Sequence, residues 1–158
     1  AAMRIRIPEL VIRTTFIVGF PNETQERFNT LLDFVREMQF DHVGVFTYSP
    51  EAGTPAEALG DPITQSVKEA RREELMTLQA GISLRKNQIF KDKVLNMLVE
   101  GTDAEHNILV GRSYRDAPEV DGLIIAEGKA EPGEMLPVRI KTALQHDLLG
   151  EALPPAAR

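Results

Sequence analysis

Val11-Ile12-Arg13-Thr14-Thr15-Phe16-Ile17-Val18 runs into Gly19-Phe20-Pro21-Asn22, and the fold of the first half follows from how that stretch is read. Its β-branched and aromatic residues predict a mostly buried strand, stopped by the Gly-Pro turn. Beyond the turn, Asn22 or Thr24 is placed to cap a helix, and Glu23 and Glu26 suit the positive end of its dipole. Phe28, Leu31, Leu32, Phe34, Val35 and Met38 recur at helical spacing over about four turns. His42-Val43-Gly44-Val45-Phe46-Thr47-Tyr48 then reads as a second strand. Strand, helix and strand joined by short turns form a βαβ unit, which requires parallel pairing.

A loop carrying Pro50, Gly53 and Pro55 follows, and a long helix is expected from near Asp61-Pro62, where proline suits a first turn. Ser66-Val67-Lys68-Glu69 offers an alternative start as a capping box. Val67, Ala70, Leu75, Leu78, Ile82 and Ile89 trace the expected apolar stripe, with Gly81 costing about 1 kcal/mol relative to alanine. From Lys93 the texture changes. Short alternating runs at 94–99, 108–110, 123–126 and 136–140 are separated by Glu100-Gly101, Asp121-Gly122, Glu127-Gly128 and Pro132-Gly133. That spacing predicts a small antiparallel β-barrel, with 148–153 as its last strand. The expected organisation is an α/β domain over 1–90, an all-β domain over 91–153 and a disordered tail over 154–158, with the boundary near 88–93.

Two parallel strands with two helices leave a sheet edge open and cannot cover both sheet faces, so the first half reads as part of a larger parallel sheet. Composition narrows the chemistry. Of 158 residues 42% are apolar and 27% charged, none is cysteine, and the net charge is −6. Absence of cysteine removes disulfides, thiolate metal sites and cysteine nucleophiles. No apolar run approaches the roughly 20 residues that cross a bilayer, and Ala1-Ala2-Met3-Arg4 does not look like a signal peptide, so no membrane role is expected and a cytoplasmic location is. The charge is uneven. Residues 91–151 hold 7 Lys/Arg against 12 Asp/Glu, whereas residues 1–90 hold 10 against 12.

Most reactive constellations are missing. His42, His106 and His146 lack ligand spacing, and no GxSxG, P-loop or GxGxxG occurs. Glu69, Arg71, Arg72, Glu73 and Glu74 read most simply as a solvated helix face.

Three stretches carry a family resemblance. Residues 14–24, TTFIVGFPNET, resemble the TTFIVGFPGET segment of the methylthiotransferases, a radical S-adenosylmethionine family. Residues 43–54, VGVFTYSPEAGT, are similar to that family's next strand and loop, and GRSYRDAPEVDG at 111–122 is similar to the branch acting on small-subunit ribosomal protein S-twelve. Asn22 stands where the family usually has glycine, and asparagine tolerates the left-handed geometry of such a turn. The resemblance implies a carboxy-terminal piece: the last two βα units of a radical SAM partial TIM barrel, then a TRAM barrel of OB-like type. It implies that the parent methylthiolates an aspartate β-carbon, using S-adenosylmethionine and two [4Fe–4S] clusters whose cysteines this chain lacks. The piece alone is therefore expected to hold no cluster and to be inactive. The rivals are a tRNA-modifying relative, whose barrel grips RNA, and a free-standing binding module.

In an α/β barrel the working groups lie at the carboxyl ends of the strands. The resemblance therefore makes Gly19, Phe20, Pro21, Phe46 and Tyr48 part of a wall around the cofactor. The plainer reading is that Gly19 and Pro21 only shape a turn and that Phe46 fills the core; Tyr48 would need a polar partner if buried. Arg112, Tyr114, Arg115, Glu119 and Asp121 are the expected substrate-docking residues. From spacing alone, Arg112 and Arg115 would instead pair with Asp116 or Glu119 in an ordinary loop. The acidic second half points to ribosomal protein S-twelve as partner rather than tRNA, and the open sheet edge points to self-association.

Overall fold

The computed structural model describes residues 2–154, which divide into two compact units, 2–82 and 83–154. In the first, α1 (Ala2–Arg6) precedes β1 (Arg13–Val18), α2 (Gln25–Met38) and β2 (His42–Thr47); a 3-10 turn, Glu57–Leu59, leads to α3 (Gln65–Gln88). Thr24 caps α2, its hydroxyl accepting from Arg27 N–H. At the other end Gln39 adopts φ 48, and Arg4 donates to the carbonyls of Met38 at 2.6 Å and Gln39 at 2.7 Å. A cation there complements the negative end of the helix dipole.

Strands β1 and β2 pair in parallel, with Arg13 opposite His42 and Ile17 opposite Phe46. Alternation sends Val18, Val43 and Val45 into one core with Phe28, Leu32 and Val35 of α2 and Leu75 and Ile82 of α3. On the opposite face Ile17 and Phe46 are 56% and 63% exposed. The plainer reading of Phe46 as core filler is thus overturned: the strand period turns it away from the face that the helices cover.

Three details of α3 differ from the sequence reading. The helix begins at Gln65, after Thr64 and not near Asp61-Pro62, and Asp61 pairs with Lys68 of its first turn. Val67, Ala70 and Ile89 are exposed, while Lys68, Arg71, Leu75, Gln79 and Ile82 form the buried stripe. Arg71 is therefore not part of a solvated charge run, whereas Arg72 and Glu69 do pair on the surface at 2.8 Å.

The second unit begins inside α3, after Ile82, earlier than the change of texture at Lys93. Its strands are β3 (Val94–Asp103), β4 (Ile108–Arg112), β5 (Ile124–Glu127), β6 (Met135–Ala143) and β7 (Leu148–Ala152). They close into a five-stranded barrel in the order β3-β4-β5-β7-β6. Most neighbours are antiparallel, but β5 and β7 run parallel, which corrects the expectation of a wholly antiparallel barrel. The connection through β6 lets β7 enter beside β5 in the same direction. Leu95, Met97, Val99, Leu109, Ile124, Ala126, Val138, Ile140 and Leu148 fill the interior at period two. Of the expected disordered tail only Pro154 is described, and it is exposed; 155–158 lie outside the described residues.

Candidate functional site

Each unit presents one candidate region. In the first it lies at the carboxyl ends of β1 and β2. Gly19 follows β1 with φ 76, and a Cβ there would stand 2.4 Å from Lys68 Cγ, so both the dihedral and the close approach require glycine. Asn22 holds φ 71 in the same turn, the conformation expected of it. Gly19 N–H donates to Glu23 Oε2 at 2.6 Å, and that oxygen also accepts from Arg71 at 2.7 Å. Arg71 further donates to the Glu23 carbonyl and lies over the Phe28 ring, 5.4 Å from its centroid.

Beside this pair Lys68 is only 1% exposed. Its ammonium donates to the Tyr48 carbonyl at 2.8 Å, pairs with Asp61 at 2.5 Å and lies 5.5 Å from the Tyr48 ring centroid. Tyr48 is buried and does find the polar partner it needs, donating to the Ala56 carbonyl at 3.2 Å. Its ring meets Phe20 edge to face at 5.0 Å. The loops after both strands are therefore tied to the first turns of α3 by a buried charged network. Of the five predicted wall residues, Gly19, Pro21 and Tyr48 are buried in this scaffold, whereas Phe20 and Phe46 keep exposed rings. Sequence reading missed Lys68 and Arg71. The signal was present: 68, 71, 75, 79 and 82 fall on one helical stripe once polar residues are admitted to it.

In the second unit the region is the loop from Ser113 to Leu123, after β4. Asp116 Oδ2 accepts from Ser113 N–H at 3.2 Å and from its hydroxyl at 2.8 Å. Asp121 Oδ2 accepts from Ala117 N–H at 2.8 Å, closing a second turn in which Glu119 has φ 62. Arg115 is 6% exposed: its guanidinium stacks 4.1 Å from the Phe90 ring centroid and donates to Asn87 Oδ1 at 3.2 Å. Arg112 reaches across the ladder to Glu100 at 2.6 Å, instead of to the loop acids considered for it. Of the five predicted docking residues, then, Tyr114 and Glu119 are exposed, Arg112 and Asp121 are half-buried, and Arg115 points inward. Val120 and Leu123 are exposed apolar residues of the same loop.

Among the described residues no group of three or more His, Asp or Glu is placed to hold a metal ion. His106 instead bonds Asp103, Nδ1 to Oδ2 at 2.8 Å. No described helix is long and apolar enough to cross a membrane.

The closed barrel with a short parallel pair coincides with a known family, since residues 93–153 match the TRAM domain. Residues 93–153 are a TRAM domain. The resemblance extends well beyond it. The chain is 48% identical over 151 residues to the ribosomal protein uS12 methylthiotransferase RimO of Trichormus variabilis, covering 96% of this chain and 34% of that protein. It is 51% identical over 151 residues to the protein of that name from Thermus thermophilus, covering 94% and 35%. A relative of the same name from Microcystis aeruginosa is 51% identical over 145 residues, covering 92% and 33%. The resemblance to the ribosomal-protein methylthiotransferases thus takes in the open βαβ unit as well as the TRAM domain. The chain spans about a third of the length of these relatives.

Proposed function

We propose that this chain is part of a radical SAM enzyme that methylthiolates the β-carbon of an aspartate in ribosomal protein uS12, in the cytoplasm. The reading assigns residues 1–90 to the last two βα units of a partial TIM barrel. It assigns residues 91–153 to substrate docking, through Arg112, Tyr114, Arg115, Glu119 and Asp121. The observation that carries it is the similarity of 94–96% of this chain to uS12 methylthiotransferases at 48–51% identity. An apolar sheet face around Ile17 and Phe46, of the kind a barrel interior would cover, supports it.

The cofactors divide on the donor sets present. Thiolate-held iron–sulfur clusters do not fit this chain, which has no cysteine, and no step through a cluster is assigned to its residues. S-Adenosylmethionine does suit the strand ends. The exposed rings of Phe20 and Phe46 can cover its adenine, while Gly19 and Pro21 shape the turn beside them. When bound, the cofactor would supply the adenosyl group. The part left to this chain is to bind, to orient and to exclude water. Lys68, Glu23 and Arg71 hold the two strand-end loops for that purpose, with side chains largely withdrawn from solvent. The TRAM domain has 7 basic against 12 acidic residues over 91–151, a balance that favours a basic protein over tRNA.

The test uses the complete reading frame, reconstituted anaerobically and given uS12, tRNA and S-adenosylmethionine in parallel. Gain of a methylthio group on one uS12 aspartate is expected by mass spectrometry. Modification of tRNA with none of uS12 would transfer the assignment to the tRNA-modifying relatives.

A further inference from the structure

Loop 113–123 is built from within, and this separates the residues that make it from those it offers to a partner. Asp116 and Asp121 spend their carboxylates on the loop's own N–H groups. Asn87 lies beneath: its Oδ1 receives Arg115, and its Nδ2 donates to the carbonyls of Leu144 at 3.1 Å and Gln145 at 3.4 Å. The far end of the loop is seated on the same turn. Leu123 N–H donates to Asp147 Oδ1 at 2.9 Å, and a Cβ on Gly122 would stand 1.8 Å from the His146 carbonyl oxygen. These anchors leave Tyr114, Val120 and Leu123 outside, at 59%, 63% and 37% exposed, with Glu119 among them. Large apolar side chains held in the open on a preorganised loop lose little conformational freedom when covered, which favours binding.

We infer that Tyr114, Val120 and Leu123 are the contact residues of the TRAM domain for a basic polypeptide, and that Arg115 is a positioning residue which fixes their loop from below. The occupant follows from charge. Glu119 falls within the same loop as the apolar set, as does Asp116, and residues 91–151 carry five more acids than bases. Lys and Arg side chains of a partner would meet this field while their apolar neighbours cover the Tyr114 ring. Arg115 cannot act as a phosphate clamp, because its guanidinium is committed to Phe90 and Asn87. The inference rests on the docking role proposed above; it keeps Tyr114, adds Val120 and Leu123, and removes Arg112, Arg115 and Asp121 from the contact.

The whole 158-residue chain is titrated against purified uS12, with a poly-lysine peptide as a charge-only probe and tRNA as the rival. Wild type is expected to bind uS12 in a salt-sensitive manner, poly-lysine more weakly and tRNA negligibly. Tyr114→Ala with Val120→Ser should weaken uS12 binding by about tenfold or more, the loss expected when interface anchors are truncated, while poly-lysine binding stays put. Arg115→Lys keeps the charge but loses the planar stack; it should weaken uS12 binding a few-fold and speed amide exchange across 113–123. If the wild type binds uS12 and the double variant binds equally well, this inference fails while the docking role stands. If the wild type does not bind uS12, or prefers tRNA, both fail. Loss of binding in Arg115→Lys without faster exchange in the loop would make Arg115 a contact and overturn its positioning role.

Discussion

The two units solve the same problem in opposite ways. In the TRAM domain each strand has neighbours on both sides, so the barrel ends with no unpaired edge and with an apolar interior. The first unit has one parallel pair, two free edges and a sheet face on which Ile17 and Phe46 stay open. Its buried polar cluster sits at the strand ends, where Lys68, Glu23 and Arg71 hold loops together. Both units have an apolar core, but among the described residues only the open unit adds a charged cluster that ties loops at its rim. Charge pairs of that kind place loops well, but they stabilise little against an apolar replacement.

The contrast is broken most directly by removing one member of the buried pair. Glu23→Ala leaves Arg71 charged and desolvated and frees Gly19 N–H. Loss of a partner in such a pair costs about 3–5 kcal/mol. Segment-resolved hydrogen exchange should show residues 13–47 opening while 94–152 keep wild-type protection; equal loosening of both units would erase the distinction.

Gly19→Ala tests the same rim through sterics. The new Cβ meets Lys68 Cγ and sits at positive φ, so a loss of about 1–3 kcal/mol is expected, confined to the first unit. An unchanged denaturation profile would mean that Lys68 moves aside freely and is not a fixed strut.

A third change sharpens the comparison without much effect on stability. Ile17→Lys together with Phe46→Lys places charge on the uncovered sheet face, where surface substitutions usually stay within about 0.5 kcal/mol. The wild-type chain is expected to self-associate through this face and its edges, and the double variant to be monomeric by light scattering. A wild-type monomer with uniformly protected strands would remove the case for an open unit.

The smallest expected effect lies on the barrel. Asp103, held below the ordinary carboxylate value first by its side-chain bond to His106, and Glu151, held down first by its bond to Lys141, are both lowered in the folded state. Between the folded and ordinary values the unfolded chain binds more protons. Each group's contribution is therefore present above the ordinary carboxylate pKa and is lost as pH falls through the folded one. The stability advantage of wild type over Asp103→Asn should be constant around neutrality and shrink as pH falls below about 4. A difference that stayed unchanged through acid titration would contradict it.

Much of this was legible in the residues. The parallel pair, the Thr24 cap, the left-handed Asn22 and the positions of five barrel strands each follow from a period or a turn that acts over a few residues. The burial of side chains in loop 113–123 was less legible, because a side chain's direction in a loop is set by long-range partners. Nothing near Arg115 in sequence announces Phe90 or Asn87. Arg71 was missed for a related reason: on a helix face rich in charges, burial depends on what packs against it, here Glu23, far away along the chain.

By itself, then, the sequence determined the local order of elements, the acidic second half, the absence of any thiolate donor and the family resemblance, since each is written in neighbouring residues or in composition. Only the tertiary structure decided that β7 closes the barrel beside β5 in parallel, that Lys68 and Arg71 are interior, and that Phe46 faces outward. Those outcomes depend on which distant surfaces meet. A charged side chain can stay buried only where folding brings it a partner, and an apolar one stays exposed where nothing arrives to cover it.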